Sequence, residues 1–173
     1  RDVMDVRLEK IVNVLEQQAG AAFDEFRGDV RVYLPADKLR DTMLFLRDEH
    51  EFQLLALLTA IDYWPETDPR FHVVYGLESL TQKLVIQLRL RLPEADARVP
   101  SVSDIFPTAN WRERELYDMF GIQVDGHPDL RRILMPDDWE GHPLRRDYPL
   151  GYEEPQYTFN YKDISLRKPF VKE

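Results

Sequence analysis

Leu84-Val85-Ile86-Gln87-Leu88-Arg89-Leu90-Arg91-Leu92 has leucine or isoleucine at every second position. Successive side chains of a strand point to opposite faces, so Leu84, Ile86, Leu88, Leu90 and Leu92 share one side and Gln87, Arg89 and Arg91 the other. A strand from Lys83 to Leu92 with one apolar side belongs to a sheet covered on that side. Two further strands are predicted just upstream, Gln53 to Asp62 and Phe71 to Ser79. The first contains the longest apolar stretch, Leu54 to Ile61, interrupted by Thr59.

Working back towards the N-terminus, Met4, Leu8, Ile11, Val12, Leu15 and Ala19 recur at helical spacing, and Gly20 is a plausible stop. A short hairpin follows, Phe23 to Phe26 and Val30 to Leu34, turning at Gly28-Asp29. Pro35 suits the first turn of a second helix running to Arg47, with Leu39, Met43 and Leu46 inward. The order helix, hairpin, helix, three strands predicts an α+β fold, a mixed or antiparallel sheet with helices on one face.

Beyond Leu92 the character changes: nine of the twelve prolines lie from Pro93 onward and alternation almost disappears. One helix is predicted from Thr108, as its cap, to Phe120, ended by Gly121, with a turn at Asp125-Gly126. From Met135 to the end no regular element is expected. Trp139, Tyr148, Tyr152, Tyr157, Phe159 and Tyr161 make that stretch too aromatic for a solvated tail. The chain therefore divides into an α+β domain over residues 1–134, including the last helix, and an extended partner-docking tail over 135–173.

Composition narrows the function. The 173 residues are enough for one domain that buries roughly 70% of its unfolded surface. Zero cysteines leave no zinc–thiolate site, thiol nucleophile or protein-held iron–sulfur cluster. A net charge of -9 argues against nucleic acid as the main partner. No apolar run is long enough to span a bilayer, and the charged opening at Arg1-Asp2 reads as no secretory signal. Arg112, Arg114, Arg131, Arg132, Arg145 and Arg146 nevertheless cluster in one segment, which favours an acidic protein partner.

That segment states one phrase twice: Gly126-His127-Pro128-Asp129-Leu130-Arg131-Arg132 and, a residue shorter, Gly141-His142-Pro143-Leu144-Arg145-Arg146. A repeat this short reads as two anchoring loops, not a folding unit. In the preceding helix Arg114 and Asp118 stand at ion-pair spacing, on a face read either as solvated or as an interface. The arginine pairs read as bidentate clamps on partner carboxylates. His127 and His142, with Asp129, Glu140 or Asp147, are the metal-ligand candidates. Each lies in a separate loop and is followed by proline, so hydrogen bonding to a carbonyl or carboxylate is the preferred role. No nucleophile elbow, phosphate loop or dinucleotide fingerprint is present.

The string Glu113-Arg114-Glu115-x-x-Asp118-Met119-Phe120, followed by His127 and Arg131, resembles the signature of the C subunit of respiratory complex I. So do Gly126 to Leu134 and Trp139-Glu140-Gly141-His142-Pro143-Leu144-Arg145-Arg146-Asp147-Tyr148-Pro149, a close match over roughly Val99 to Leu150. The resemblance implies a small hydrophilic peripheral-arm subunit of proton-translocating NADH:quinone oxidoreductase. Such a subunit braces the quinone-site and iron–sulfur subunits on the cytoplasmic side of the bacterial cell membrane. It implies no cofactor in this chain, although the whole complex uses FMN, iron–sulfur clusters and quinone, and it implies no catalytic residue here. A partner interface is then expected from Glu113, Arg114, Glu115, Asp118, His127, Arg131, Arg132, Trp139, His142, Arg145, Arg146, Asp147 and Tyr148. Against longer relatives the chain reads as stopping at Glu173 without a fused extension. Two rivals stay open: the homologous subunit of an energy-converting hydrogenase or plastoquinone-reducing complex, and a stand-alone metal-dependent hydrolase using His127 and His142.

Overall fold

The computed structural model describes residues 4–149 together with Phe159, Lys162, Asp163 and Leu166. The chain opens with helix α1, Val6–Ala19, whose N-terminus is capped by the Asp5 carboxylate accepting from the Arg7 amide. Strands β1, Ala22–Phe26, and β2, Asp29–Tyr33, form the expected hairpin. Its turn is centred on Arg27-Gly28, one residue earlier than expected, and both have positive φ, 56° and 88°. That mirror-image turn matches the right-handed strand twist, and it needs the second residue to tolerate φ > 0. A single 3₁₀ turn, Ala36–Lys38, precedes helix α2, Leu39–His50. Proline thus stands before a 3₁₀ turn and not inside the helix.

Strands β3, Leu54–Asp62, β4, Phe71–Ser79, and β5, Leu84–Leu92, stand where alternation placed them. The sheet order is β1-β2-β5-β4-β3. Helix α2 carries the chain from β2 to the far edge strand β3, and β4 and β5 return to fill the gap. The last step pairs β2 with β5 in parallel, through Val32 and Leu88, while every other pairing is antiparallel. The fold is accordingly α+β with a mixed sheet.

Leu84, Ile86, Leu88, Leu90 and Leu92 are all buried, joined in one core by Leu8, Ile11, Val12 and Leu15 of α1 and Leu39, Met43 and Leu46 of α2. Helix α3, Ala109–Phe120, adds Ala109, Leu116, Met119 and Phe120 to the same core. Thr108 makes no side-chain cap bond, against expectation. Two short strands that alternation did not reveal, β6 (Arg98–Pro100) and β7 (Gln123–Asp125), pair in parallel on either side of α3. Three residues are too few for a period to show. Residues 135–149 contain no helix or strand, as expected. Lys162, Asp163 and Leu166 have helical backbone, so that expectation fails there; Tyr152, Tyr157 and Tyr161 lie outside the described residues.

Candidate functional site

Ala109, Glu113, Leu116 and Phe120 follow one another at four-, three- and four-residue steps, one stripe of α3. Glu113 is therefore carried into the core by its apolar neighbours. Its Oε1 accepts from the Val102 amide at 2.7 Å and its Oε2 from the Ser101 hydroxyl at 2.7 Å. Burial raises the Glu113 pKa, and these two bonds oppose that shift without overcoming it.

Asp118 is buried as completely, but it has a stronger set of donors. Its Oδ2 accepts the backbone amides of Ile133, Leu134 and Met135 at 3.0, 2.7 and 2.9 Å. Its Oδ1 accepts from Arg132 Nη1 at 2.6 Å. Burial pushes its pKa up, but the amides and the guanidinium outweigh it, and the net shift is downward. The expected Arg114–Asp118 pair does not form. Arg114 instead donates to the carbonyls of Arg131 and Arg132 at 3.1 and 2.9 Å. Glu113 and Asp118, both placed at a partner interface by sequence, are enclosed by this chain because each has backbone donors inside it.

The repeated phrase anchors the two ends of α3. In the first loop His127 Nε2 donates to the Asn110 carbonyl at 3.0 Å, while its Nδ1 accepts from the Asp129 amide at 3.0 Å. In the second loop His142 Nδ1 donates to the Asp118 carbonyl at 3.0 Å. The Leu144 amide donates to the Met119 carbonyl at 3.0 Å, and Arg145 Nε to the Phe120 carbonyl. With the Gly121 amide on the Tyr117 carbonyl at 2.8 Å, the four carbonyls that a helix C-terminus leaves free all find donors. Gly121 makes this cap possible. It lies at φ +72°, and a Cβ there would stand 2.5 Å from both Arg145 Nη2 and His142 Nε2. The two imidazoles bond to carbonyls more than two helical turns apart, roughly 12 Å along the axis, so they do not meet on one metal ion as the hydrolase reading required.

The arginines expected to grip a partner mostly grip this chain. Arg132 Nη2 donates to the carbonyls of Trp139 and Gly141 at 2.8 and 3.0 Å, and Arg145 also packs 5.5 Å over the Phe71 ring. Arg131 differs: it pairs with Asp129 at 2.7 Å where both are exposed. Tyr148 donates to the Glu140 carbonyl at 3.3 Å. Trp139 is partly buried, and its Nε1 has no partner among the described residues. Glu115, Arg146 and Asp147 remain exposed.

Sequence reasoning missed a second polar centre. Arg70, fully buried, makes a two-pronged pair with Asp62 at 3.0 Å on each prong. It also reaches Glu94 at 2.5 Å and Asp147 at 2.6 Å. Asp62 further accepts the amides of Trp64 and Arg146 at 2.9 and 2.8 Å, which holds the segment after the second loop against the sheet. A signal existed: Leu58, Ala60 and Asp62 share the inward parity of β3, and a carboxylate there requires a buried cation.

Around this frame an apolar rim is exposed. Trp111 is 62%, Leu134 63% and Leu144 53% accessible, and Arg114 lies 5.3 Å over the Trp111 ring.

Residues 32–154 match the model of the family described as "Respiratory-chain NADH dehydrogenase, 30 Kd subunit". The chain is 50% identical over 151 residues to the C subunit of NADH-quinone oxidoreductase from Roseiflexus sp. (strain RS-1), covering 86% of each. It is 45% identical over 142 residues to the protein of that name from Geobacter sulfurreducens, covering 81% of this chain and 88% of that one. Among solved structures, a trypsin-resistant fragment of Nqo5 superposes with a TM-score of 0.65 at 35% identity, over 72% of this chain and 100% of the fragment. A chain of the membrane-bound sulfane sulfur reductase, an archaeal respiratory membrane complex, superposes with a TM-score of 0.68 at 26% identity, over 98% and 97%.

Proposed function

The chain belongs to the family of the respiratory-chain NADH dehydrogenase 30 kDa subunit, and on that premise we propose that it is a non-catalytic bracing subunit. Its assembly is the peripheral arm of a proton-translocating NADH:quinone oxidoreductase, on the cytoplasmic side of the membrane. There it packs beside the quinone-site and iron–sulfur subunits, while FMN, clusters and quinone reside in other chains. The observation that supports bracing is the direction of the polar bonds: Glu113, Asp118, His127, Arg132 and His142 bond to this chain's own backbone. Such groups make a rigid mount, and they leave Trp111, Leu134 and Leu144 outward as anchors of the kind that dominate interface energies.

The test is incorporation of tagged Trp111→Asp and Leu134→Asp variants into the oxidoreductase in its host. The isolated variants should unfold at the wild-type midpoint, because neither side chain is in the core. The amount of intact peripheral arm should fall about tenfold or more, with quinone turnover per assembled complex unchanged. A variant that assembles at full yield yet reduces quinone far more slowly would assign this surface to the chemistry or its proton path.

A second reading, the equivalent subunit of a related membrane assembly, is favoured by the near-complete superposition on the sulfane sulfur reductase chain. The higher identities to NADH-quinone oxidoreductase subunits, 50% and 45%, place it second. Identification of the subunits that co-purify with the chain separates the two.

A further inference from the structure

Among the described residues, the helices and their core occupy one face of the sheet, and the second face is open. On the open face Leu57 is 40%, Ile61 36% and Val85 50% exposed. Strand register sets these residues in rows: Thr59, Val74, Arg89 and Tyr33 lie side by side, and Ile61, His72 and Arg91 form the row beside them. The result is a pair of exposed apolar groups on β3, Leu57 and Ile61, set across β4 from a strip of guanidinium groups on β5.

Those guanidinium groups are poorly matched within the chain. Among the described residues Arg89 has one hydrogen bond, to Gln87 Oε1 at 3.3 Å, and its shielded Nε has no partner. Arg91 stacks 4.2 Å over the Tyr33 ring. Neither takes part in an ion pair among the described residues. Arg31, one strand further, has a long pair with Asp24 at 3.7 Å; among the described residues its Nε and the Nδ1 of His72, in the same patch, are also without a partner. Buried or half-buried polar nitrogens of this kind normally have acceptors, and arginine beside apolar surface is the composition of an interface centre.

We propose that this open face seats an amphipathic helix of another subunit, its apolar stripe on Leu57 and Ile61 and its carboxylates on Arg89 and Arg91. A helix about 10 Å across spans the β3–β4–β5 width at roughly 4.8 Å between strands, and a second helical layer is the usual cover for an open sheet face. A second copy of this chain fits badly. A two-fold contact would lay the same patch on itself and set the Arg89–Arg91 strips against each other. The inference rests on the chain being a subunit of an assembly, but it names a surface on the side of the sheet away from α3.

Photo-crosslinking in the intact oxidoreductase tests it, with p-benzoylphenylalanine in place of Leu57 or, separately, Ile61. Adducts are expected on one other subunit, in a segment of helical apolar spacing that carries Asp or Glu. In parallel, Arg89→Glu combined with Arg91→Glu should cut incorporation about tenfold or more, and Arg89→Lys with Arg91→Lys should restore much of it. Adducts confined to a second copy or to lipid, or none at all, would overturn the proposal whether or not the charge-reversed chain folds. Full incorporation of the charge-reversed chain would overturn it too. A chain that does not co-purify with the oxidoreductase defeats both this inference and the function it rests on, whereas co-purification without adducts defeats the inference alone.

Discussion

Arg132 reaches Asp118 and the carbonyls of Trp139 and Gly141, whereas Arg131 beside it meets exposed Asp129. Removing Arg132 leaves a wholly buried carboxylate short of its only cation among the described residues, a change that costs about 3–5 kcal/mol in comparable buried pairs. Arg132→Ala is therefore expected to lower the urea midpoint of the full chain severely, and Arg131→Ala to leave it where it is. Equal midpoints for the two variants would show that Asp118 is held by its backbone amides alone. The sequence, with two identical letters in a row, could not distinguish these roles. Which arginine faces inward depends on the path of residues 131–135 around Asp118, and no local spacing records that path.

At the level of elements, α3 is held at both ends by the same short phrase used twice. The first copy bonds Asn110 near its start through His127, and the second closes its C-terminus through His142, Leu144 and Arg145. The close approach at Gly121 gives this cap a single point of failure. Gly121→Ala puts an L residue at φ +72°, which costs about 1–2 kcal/mol by itself. The new methyl group also displaces His142 and Arg145. Hydrogen exchange at the Leu144 amide should accelerate in this variant, while the amides of β4 and β5 keep their protection until global unfolding. Unchanged exchange at Leu144 would mean that the loop is held from elsewhere, with the Asp62–Arg146 bond as the next candidate.

For the molecule as a whole, the buried carboxylates give stability two opposite pH dependences. At Asp118, burial raises the pKa but the amides and Arg132 lower it more. At Asp62, burial likewise raises it, and Arg70 with the amides of Arg146 and Trp64 brings it below normal. A folded pKa below the unfolded one stabilises fully above the unfolded value, about 3.9, and the stabilisation disappears as pH falls through the folded value. Glu113 is opposite: its folded pKa lies above its unfolded value of about 4.3, so stability falls as pH rises through that interval. The urea midpoint should therefore drop steeply on acidification below about pH 4. Glu113→Gln, which can keep the Val102 bond, should gain on the wild type as pH rises from there. A constant difference between the two across the series would show that the Glu113 carboxyl titrates alike in the folded and unfolded chain.

The periods of the sequence determined the elements and the faces they bury. Leu84 to Leu92 are buried in alternation, and of the residues their spacing selected α1 buries Leu8, Ile11, Val12 and Leu15 and α2 buries Leu39, Met43 and Leu46. This worked because period and parity are local properties, fixed by the geometry of one strand or one helix. Partner choice is not local, and tertiary structure alone decided it. β2 lies beside β5 in parallel, although they are separated in sequence by α2, β3 and β4. Glu113 and Asp118 look like a solvated helix face until Ser101, Val102 and residues 132–135 are brought around them. Asp62 and Arg70 come together with Glu94 and Asp147 only when the end of β3, the start of β4 and the segment after the second loop converge. A charged letter states that a partner is required, and the fold determines which residue supplies it.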